Sequence, residues 1–466
     1  MPAASGDAEG PRRDRADPRR AQPRRSGAAG RTPRDGDALT RVAIVGGGAG
    51  GALQALHLKR AGIDDLVLIE RSRAPGRGVA YSTTRPEHLL NVPARRMSAF
   101  ADDPEHFVRW FADRAGGTAE CYAPRMLYGD YLAGLLAEAG VETVSGEAVD
   151  LGPEGVRLAG GRAIPADTVV LAPGNLKPAT PRGIDPAALG ELWVDDPWAK
   201  DFAEGLGADD TLLLLGTGLT AVDAALTLDA LGFPGRILAV SRRGLAPRAH
   251  GPREPLAAPR EDLPPACTAM LRRVRARSEE IGWRAAVYEL RTVTQQLWGS
   301  APEAERRRFL RHLRPWWDVH RHKLAPAVGA RIEALQAVGR LTVAAGRLVS
   351  VRRDGGEVAV CLRPRGGGEA GTIRVARIVN CTGPEADIAR SGEPLLAALL
   401  EAGTIAADPL RLGIAVDEEC RVLDAQGRAS DRLFAIGPVT KGTFWESVAV
   451  PDIRTQAARV AALIAR

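Results

Sequence analysis

Two stretches of the chain carry glycines at spacings suited to gripping a diphosphate. In Gly46-Gly47-Gly48-Ala49-Gly50-Gly51 the triplet Gly46, Gly48 and Gly51 follows G-x-G-x-x-G, with Gly50 as a further small residue. In Gly216-Thr217-Gly218-Leu219-Thr220-Ala221, Gly216 and Gly218 are kept and Ala221 stands third. The first glycine permits a tight turn, the second lets a pyrophosphate reach the backbone, and the third lets a helix pack closely on a strand. Each unit then ends on a residue that can read a ribose. Glu70 lies 24 positions after Gly46, where its carboxylate can accept from both ribose hydroxyls. The second unit ends instead in Ser241-Arg242-Arg243. A carboxylate there would repel a 2′-phosphate, whereas the guanidinium groups of Arg242 and Arg243 bind one. Opposite charge at the two positions implies two different dinucleotides, FAD in the first unit and NADPH in the second. A hydride could then pass from nicotinamide to flavin.

The neighbouring residues supply the elements that would hold these turns. "RVAIV" and "LVLIE" are short apolar runs rich in β-branched residues and predict buried strands, with a helix from Ala52 to Ala61 ending at Gly62 between them. "TLLLL" and "RILAV" frame a helix from Val222 to Leu231 in the same way. The expected fold class is α/β, with two Rossmann-like dinucleotide-binding domains and a helical insertion. An FAD domain interrupted by an NADP domain, as in glutathione-reductase-like proteins, must return to complete its sheet. "ADTVVLAPGNLKPATP", "ARIVNCTGP" and "DRLFAIGPVTKGTFWES" occur in the order of the exit, the crossover back and the last strand, placing Gly174, Gly383 and Gly437 against cofactor. The final "PDIRTQAARVAALIAR" predicts a closing amphipathic helix. The expected division is a tail over 1–39, the first part of the FAD domain over 40–205, and the NADP core over 206–250. A mostly helical insertion over 251–345 and the completion of the FAD domain over 346–466 follow.

Composition narrows the function classes. The chain has 466 residues, 45% hydrophobic and 26% charged, with a net charge of +6. These are ordinary values for a globular protein, and no apolar run approaches the roughly 20 residues of a membrane span. Residues 1–39 are rich in Arg, Pro, Gly and Ala with almost no large apolar side chain, so that tail is expected to be disordered. Its acidic residues argue against a nucleic-acid arm, and no nucleic-acid partner is expected. The five cysteines, Cys121, Cys267, Cys361, Cys381 and Cys420, include no close pair. This points to a reducing compartment, with cytoplasm the expected location, and argues against dithiol–disulfide chemistry at a flavin.

Taken with "GRGVAYSTTRPEHLLNVPARRMSAF", "PRMLYGDYL", "GTGLTAVD", "SRRGLAPRAH", "WWDVHRHKLAP" and "GTFWESVAVPDIRTQA", the sequence from Arg41 to Arg466 resembles the bacterial FAD/NAD(P)-binding flavoproteins related to N-hydroxylating and Baeyer–Villiger-type monooxygenases. The resemblance implies an FAD-dependent oxidoreductase reduced by NADPH. It further implies a monooxygenase that transfers oxygen through a flavin (hydro)peroxide to a small molecule, with an amine or amino acid as the pointer to substrate class. An FAD-dependent reductase without oxygen insertion and an FAD-binding redox sensor stay open as alternatives. The resemblance also implies cofactor contact at Gly78 and Tyr81. Asn91 either faces the flavin ring or serves as a turn residue. In the helical insertion, Asp318 and His322 are four residues apart and could pair, and His320 and His322 are candidate acid–base or substrate groups. The two histidines do not share a helical face, so no metal site is expected. Trp316 and Trp317 are expected to pack inward. Gly437 is followed by Pro438 rather than by a ribityl-binding Asp, so no carboxylate can be assigned to that role.

Overall fold

Strands that are apolar on both faces need cover on both faces, and this requirement organises the chain. Val42–Val45 and Leu66–Glu70 are buried along their whole lengths. They pair in parallel, and Val42–Val45 also pairs in parallel with Thr168–Leu171. In this computed structural model, which describes residues 40–72, 74–198, 201–251 and 263–466, the first sheet has six strands. Its order is Arg421–Leu423, Ala429–Ala435, Thr168–Leu171, Val42–Val45, Leu66–Glu70 and Glu142–Ser145. The strand Ala429–Ala435 pairs in parallel with Thr168–Leu171, so the sheet is completed from the far end of the chain, as the sequence led one to expect. The helices Ala49–Arg60, Arg125–Glu138 and Val450–Ile464 cover one face through Leu53, Tyr128, Tyr131, Leu132, Ile453 and Val460. A three-stranded antiparallel meander, Ala148–Gly152, Gly155–Leu158 and Ala163–Pro165, packs on the other. The tail over 1–39, with its expected disorder, lies outside the described residues.

The second sheet has seven strands, in the order Gly371–Val375, Glu357–Pro364, Leu341–Asp354, Arg236–Ser241, Thr211–Leu215, Arg377–Asn380 and Trp193–Val194. It differs from the division expected over 40–205 and 346–466. Trp193–Val194 and every strand between 341 and 380 join the second sheet, not the first. The chain returns to the first sheet only after Cys381. Strand propensity does not reveal this, because pairing partners are set by long-range burial rather than by local pattern. The helix Pro326–Ala337 was also expected within the insertion. It packs instead beside the helix Leu219–Ala230 through Val328, Ile332 and Leu335, and leads into the parallel strand Leu341–Asp354. The remaining helices, from Cys267–Ile281 to Arg314–Arg321, form the insertion itself. Among the described residues no helix is long and apolar enough to cross a membrane.

Candidate functional site

The first glycine turn is packed so closely that two of its positions, Gly46 and Gly51, have no room for a side chain. Gly46 adopts φ +103°, and a Cβ there would stand 2.3 Å from Ala172 O. A Cβ at Gly51 would stand 1.9 Å from Gly46 O, so the helix can sit this close to its strand only with glycine. The helix Ala49–Arg60 starts directly after Gly48, three residues earlier than the sequence predicted, and no side chain caps it. Its first N–H groups are therefore left to a ligand, and the positive end of the helix dipole favours a phosphate. Over this turn lies the Gly76–Gly78 loop. Gly76 N–H donates to Gly47 O (2.7 Å), and a Cβ at Gly78 would stand 3.0 Å from Gly48 Cα. Arg77 pairs with Asp130 on the helix Arg125–Glu138 and fixes the loop. Glu70 ends its strand 8% exposed, accepting from Gly47 N–H (2.6 Å) and Ser72 N–H (2.8 Å). Each carboxylate oxygen keeps a lone pair for a ribose hydroxyl.

The second turn repeats the geometry with a different rim. A Cβ at Gly216 (φ +129°) would stand 2.1 Å from Cys381 O, while the space around Gly218 is open. Ala221 is buried in the first turn of the helix Leu219–Ala230, whose N-terminus also lacks a side-chain cap. The segment after the Arg236–Ser241 strand is held by a small network. The Thr217 hydroxyl donates to Leu245 O (2.5 Å) and lies 2.8 Å from Ser241 Oγ, which accepts from Gly244 N–H (3.0 Å). This places Arg242 and Arg243 at the strand's end. Arg243 donates to Arg311 O (3.2 Å), whereas Arg242 is exposed and makes no hydrogen bond or ion pair among the described residues.

Between the two units lies a crevice of about 210 Å³. Tyr81, Asn91, Leu219, Asp223, His322 and Val450 are among the residues lining it. Arg125 and Asp223 close one side as a buried ion pair (2.5 Å), and Arg125 also lies over the Trp198 ring (5.2 Å). Burial raises the Asp223 carboxyl to about 6, against the pull of Arg125. His88 bridges the same two units: its Nε2 reaches Asp223 O (3.1 Å) and Thr227 Oγ1 (3.0 Å), and its Nδ1 reaches Thr83 Oγ1 (2.8 Å). On the far side the crevice meets a cluster of charges. Arg321 donates to Glu446 (2.7 Å), and Arg291 pairs with Asp452 in the first turn of Val450–Ile464. Burial pushes the Glu446 carboxyl up, but Arg321 and Arg291 together hold it below its ordinary range. The Ser447 hydroxyl is buried without a hydrogen-bond partner among the described residues.

These burials carry a pH signature. Burial, helped by the charge of Arg125, presses the His88 imidazole down to about 4. His88 is thus neutral in the fold but titrates near its ordinary value in the unfolded chain. Its contribution to stability is present above about pH 6.5 and is lost as pH falls towards 4. Asp223, with its raised value, works in the opposite sense over the same window. The expected result is that the wild type loses about 2 kcal/mol more than His88→Gln between pH 7 and pH 5, read from denaturant midpoints. Parallel curves for the two proteins would contradict the assignment.

The remaining expected site residues separate into those at the crevice and those away from it. Tyr81 lines it, with its ring edge-on to Tyr128 (4.7 Å) and its phenol pushed up to about 12 by burial. Asn91 lines it too, and its carbonyl accepts from His250 Nε2 (2.9 Å). His322 faces it, and burial lowers its imidazole to about 4. The expected Asp318–His322 side-chain pair is replaced by an ion pair between Asp318 and Arg314 (3.4 Å). His320 lies elsewhere, donating to Trp316 O (2.7 Å) beside Trp283. Gly50 has room for a side chain, its nearest neighbour being 3.9 Å from a Cβ. Gly174, Gly383 and Gly437 have positive φ but open surroundings, so the conformation rather than crowding calls for glycine there. Trp316, expected inside, is 44% exposed.

Where a Gly-Asp carboxylate was missing, Gln456 takes over a structural part. Its Oε1 accepts from Gly437 N–H (2.9 Å), and its Nε2 donates to Thr440 Oγ1 (2.9 Å). His88, Arg125, Asp223, Glu446 and Gln456 were not singled out from sequence. All five stand within the quoted segments "GRGVAYSTTRPEHLLNVPARRMSAF", "PRMLYGDYL", "GTGLTAVD" and "GTFWESVAVPDIRTQA", with Asp223 closing the third.

Residues 43–176 match a family model described as FAD-NAD(P)-binding. A stretch of 79 residues is 38% identical to tryptophan 2-monooxygenase of Pseudomonas savastanoi, spanning 16% of this chain and 14% of that protein. Similarity of fold extends much further. The cadaverine monooxygenase of desferrioxamine biosynthesis from Erwinia amylovora superimposes with a TM-score of 0.64 at 13% identity, over 92% of this chain and 95% of its own. Ornithine hydroxylase of Pseudomonas aeruginosa gives 0.62 at 15% identity, over 91% and 98%. Bacillithiol disulfide reductase of Bacillus cereus gives 0.55 at 15%, over 91% and 98%. At these identities the likeness establishes a shared two-dinucleotide fold.

Proposed function

We propose that this protein is an FAD-dependent oxidoreductase reduced by NADPH, and within that class a monooxygenase acting on a small molecule. The observation that carries the reading is the pair of uncapped glycine turns in two units that share one crevice, Tyr81 and Asn91 lining it from the first and Leu219 and Asp223 from the second, with Glu70 ending one unit and the unpaired Arg242 ending the other. The residues present fit both cofactors. The space over Gly48 that a side chain would fill suits a pyrophosphate, and Glu70 holds two free lone pairs for a ribose. When bound, FAD supplies hydride acceptance and the activation of dioxygen.

The chain's own part is binding, orientation and exclusion of water. The N-terminus of Ala49–Arg60 takes the diphosphate, and Arg242 selects the 2′-phosphate of NADPH. Arg125, Asp223 and His88 hold the two units in register so that the two rings can meet. Leu89, Leu90, Val92, Met97, Leu324 and Val448 give the crevice an apolar wall that keeps bulk water from the reacting atoms. The overall balance is NADPH, a proton, dioxygen and substrate giving NADP, water and a product with one added oxygen atom.

Fold neighbours that act on cadaverine and ornithine make amines the first substrates to try, as the sequence resemblance also implied. Dithiol–disulfide chemistry at a flavin would need a close cysteine pair, and the sequence, with cysteines at 121, 267, 361, 381 and 420, offers none. Unbridged cysteines also suit the reducing, cytoplasmic setting expected from the sequence.

The test follows the oxygen. FAD-loaded protein is given NADPH and labelled dioxygen with a substrate panel, and one labelled atom should appear in product per NADPH consumed. NADPH oxidation that returns only hydrogen peroxide, whatever the substrate, would leave a reductase and remove the monooxygenase. Arg242→Glu is expected to raise KM for NADPH about 10- to 100-fold, the loss of one charge-assisted contact, with KM for NADH changed little. Equal shifts for both would reject the phosphate role.

A further inference from the structure

The helical insertion lines a second cavity, half open to solvent and larger than the crevice, at about 470 Å³. Its walls include Trp283, Trp298, Phe309, Trp316, Trp317 and Trp445, and so hold five of the chain's eight tryptophans. The rings are organised rather than collapsed on one another. Trp298 stacks on Trp445 at 4.5 Å and 30°, and Phe309 meets Trp445 edge-on at 5.3 Å. A volume of this size lies within the usual range for organic ligands.

Most polar groups around the cavity are already committed to the protein, and the charged side chain there without a partner among the described residues is the exposed Arg275, itself a cation. Ser278 Oγ donates to Val274 O (2.6 Å), Thr294 Oγ1 to Leu290 O (2.7 Å) and Trp298 Nε1 to Gly442 O (2.8 Å). Arg306 donates to Ala301 O (2.8 Å) and Gly299 O (2.9 Å). Glu305, the one carboxylate among the lining residues, accepts from Cys267 N–H (2.8 Å) and is paired with Arg308 (2.7 Å). A ligand entering here finds ring faces and aliphatic carbon, with no free carboxylate to balance an ammonium group. An alkylammonium ion would meet no counter-charge, and the faces of Trp283, Trp298 and Trp445 that could attract it already carry Arg284, Arg306 and Lys441.

The cavity also leads towards the proposed reaction site. His320 lines both it and a smaller adjoining cavity, and Asn91, Arg96 and Arg321 line both that smaller cavity and the crevice between the nucleotide units. Trp445 stands immediately before Glu446, which binds Arg321 at the crevice. Resting on the oxidoreductase reading above, we infer that the tryptophan-lined chamber is the substrate site and that it takes an uncharged aromatic compound rather than an aliphatic diamine or basic amino acid.

The probe is N-phenyl-1-naphthylamine, titrated into FAD-loaded full-length protein while tryptophan quenching and probe emission are followed. Saturable binding to one site is expected, with no displacement by L-ornithine. Val274→Trp, from the middle of the helix Cys267–Ile281, and Ala301→Phe, at the C-terminal end of Thr294–Ser300, each fill the chamber from a different side and are expected to weaken probe binding about tenfold or more while circular-dichroism melts stay unchanged. Having two variants guards against one that does not fold. Absence of saturable binding, equal affinity in the folded filled variants, or displacement by L-ornithine would each overturn the inference. Flavin absorbance on adding NADPH is read in the same samples. A flavin that stays oxidised while the probe still binds strikes the oxidoreductase reading and not the chamber's ligand class.

Discussion

Gly48→Val is expected to yield a folded but colourless protein. Gly48 has φ −68° and ψ −168°, an extended backbone that valine adopts without strain. A single Cβ there would lie 3.4 Å from Gly78 Cα, which the neighbouring loop can accommodate. The branched methyls, however, would occupy the space above the uncapped N–H groups of the Ala49–Arg60 helix, where a diphosphate must come within hydrogen-bonding distance. Loss of FAD affinity by more than about 100-fold is expected, read as flavin absorbance after gel filtration, with a melting curve close to that of the apo wild type. Gly51→Ala makes the informative contrast. Its Cβ would stand 1.9 Å from Gly46 O, so that substitution should damage the fold itself and lose flavin for a different reason. A Gly48→Val protein that keeps stoichiometric flavin would remove the first turn from the site.

The second large effect is expected at the clamp between the units. Arg125→Met keeps most of the side-chain volume but leaves the Asp223 carboxylate buried without its partner, in a place where His88 presents only a bond to backbone. Breaking a buried pair from one side costs about 3–5 kcal/mol, because the remaining charge loses both water and its counter-ion. The denaturation midpoint should fall accordingly, and hydride transfer from NADPH to flavin should slow as the units lose register. Adding Asp223→Leu to Arg125→Met is expected to restore most of the stability, since replacing both charges with apolar groups removes the unpaired burial. It should not restore the transfer rate to the same degree, because the register between the units depended on the pair. A single variant that loses less than about 1 kcal/mol would show that the pair is not a clamp.

The sequence by itself determined the two strand–turn–helix units, the residues that end their second strands and the late return of the chain to its first sheet. Gly51 is legible because the atom a side chain would strike, Gly46 O, belongs to the turn itself, whereas Gly46 and Gly216 are confined by Ala172 O and Cys381 O, far along the chain, and are legible only through the spacing of their motif. Glu70 and Arg242 are legible because their strands fix their positions relative to those turns. Tertiary structure alone decided which sheet receives the strands between 341 and 380, and that Asp223 and Arg125, 98 residues apart, form one buried pair. It also decided that tryptophans scattered from Trp283 to Trp445 face a common chamber while His320 and His322 look into different cavities. Local periodicity tells which face of an element is apolar, but not which distant face will cover it, because that choice is made by the burial of the whole chain.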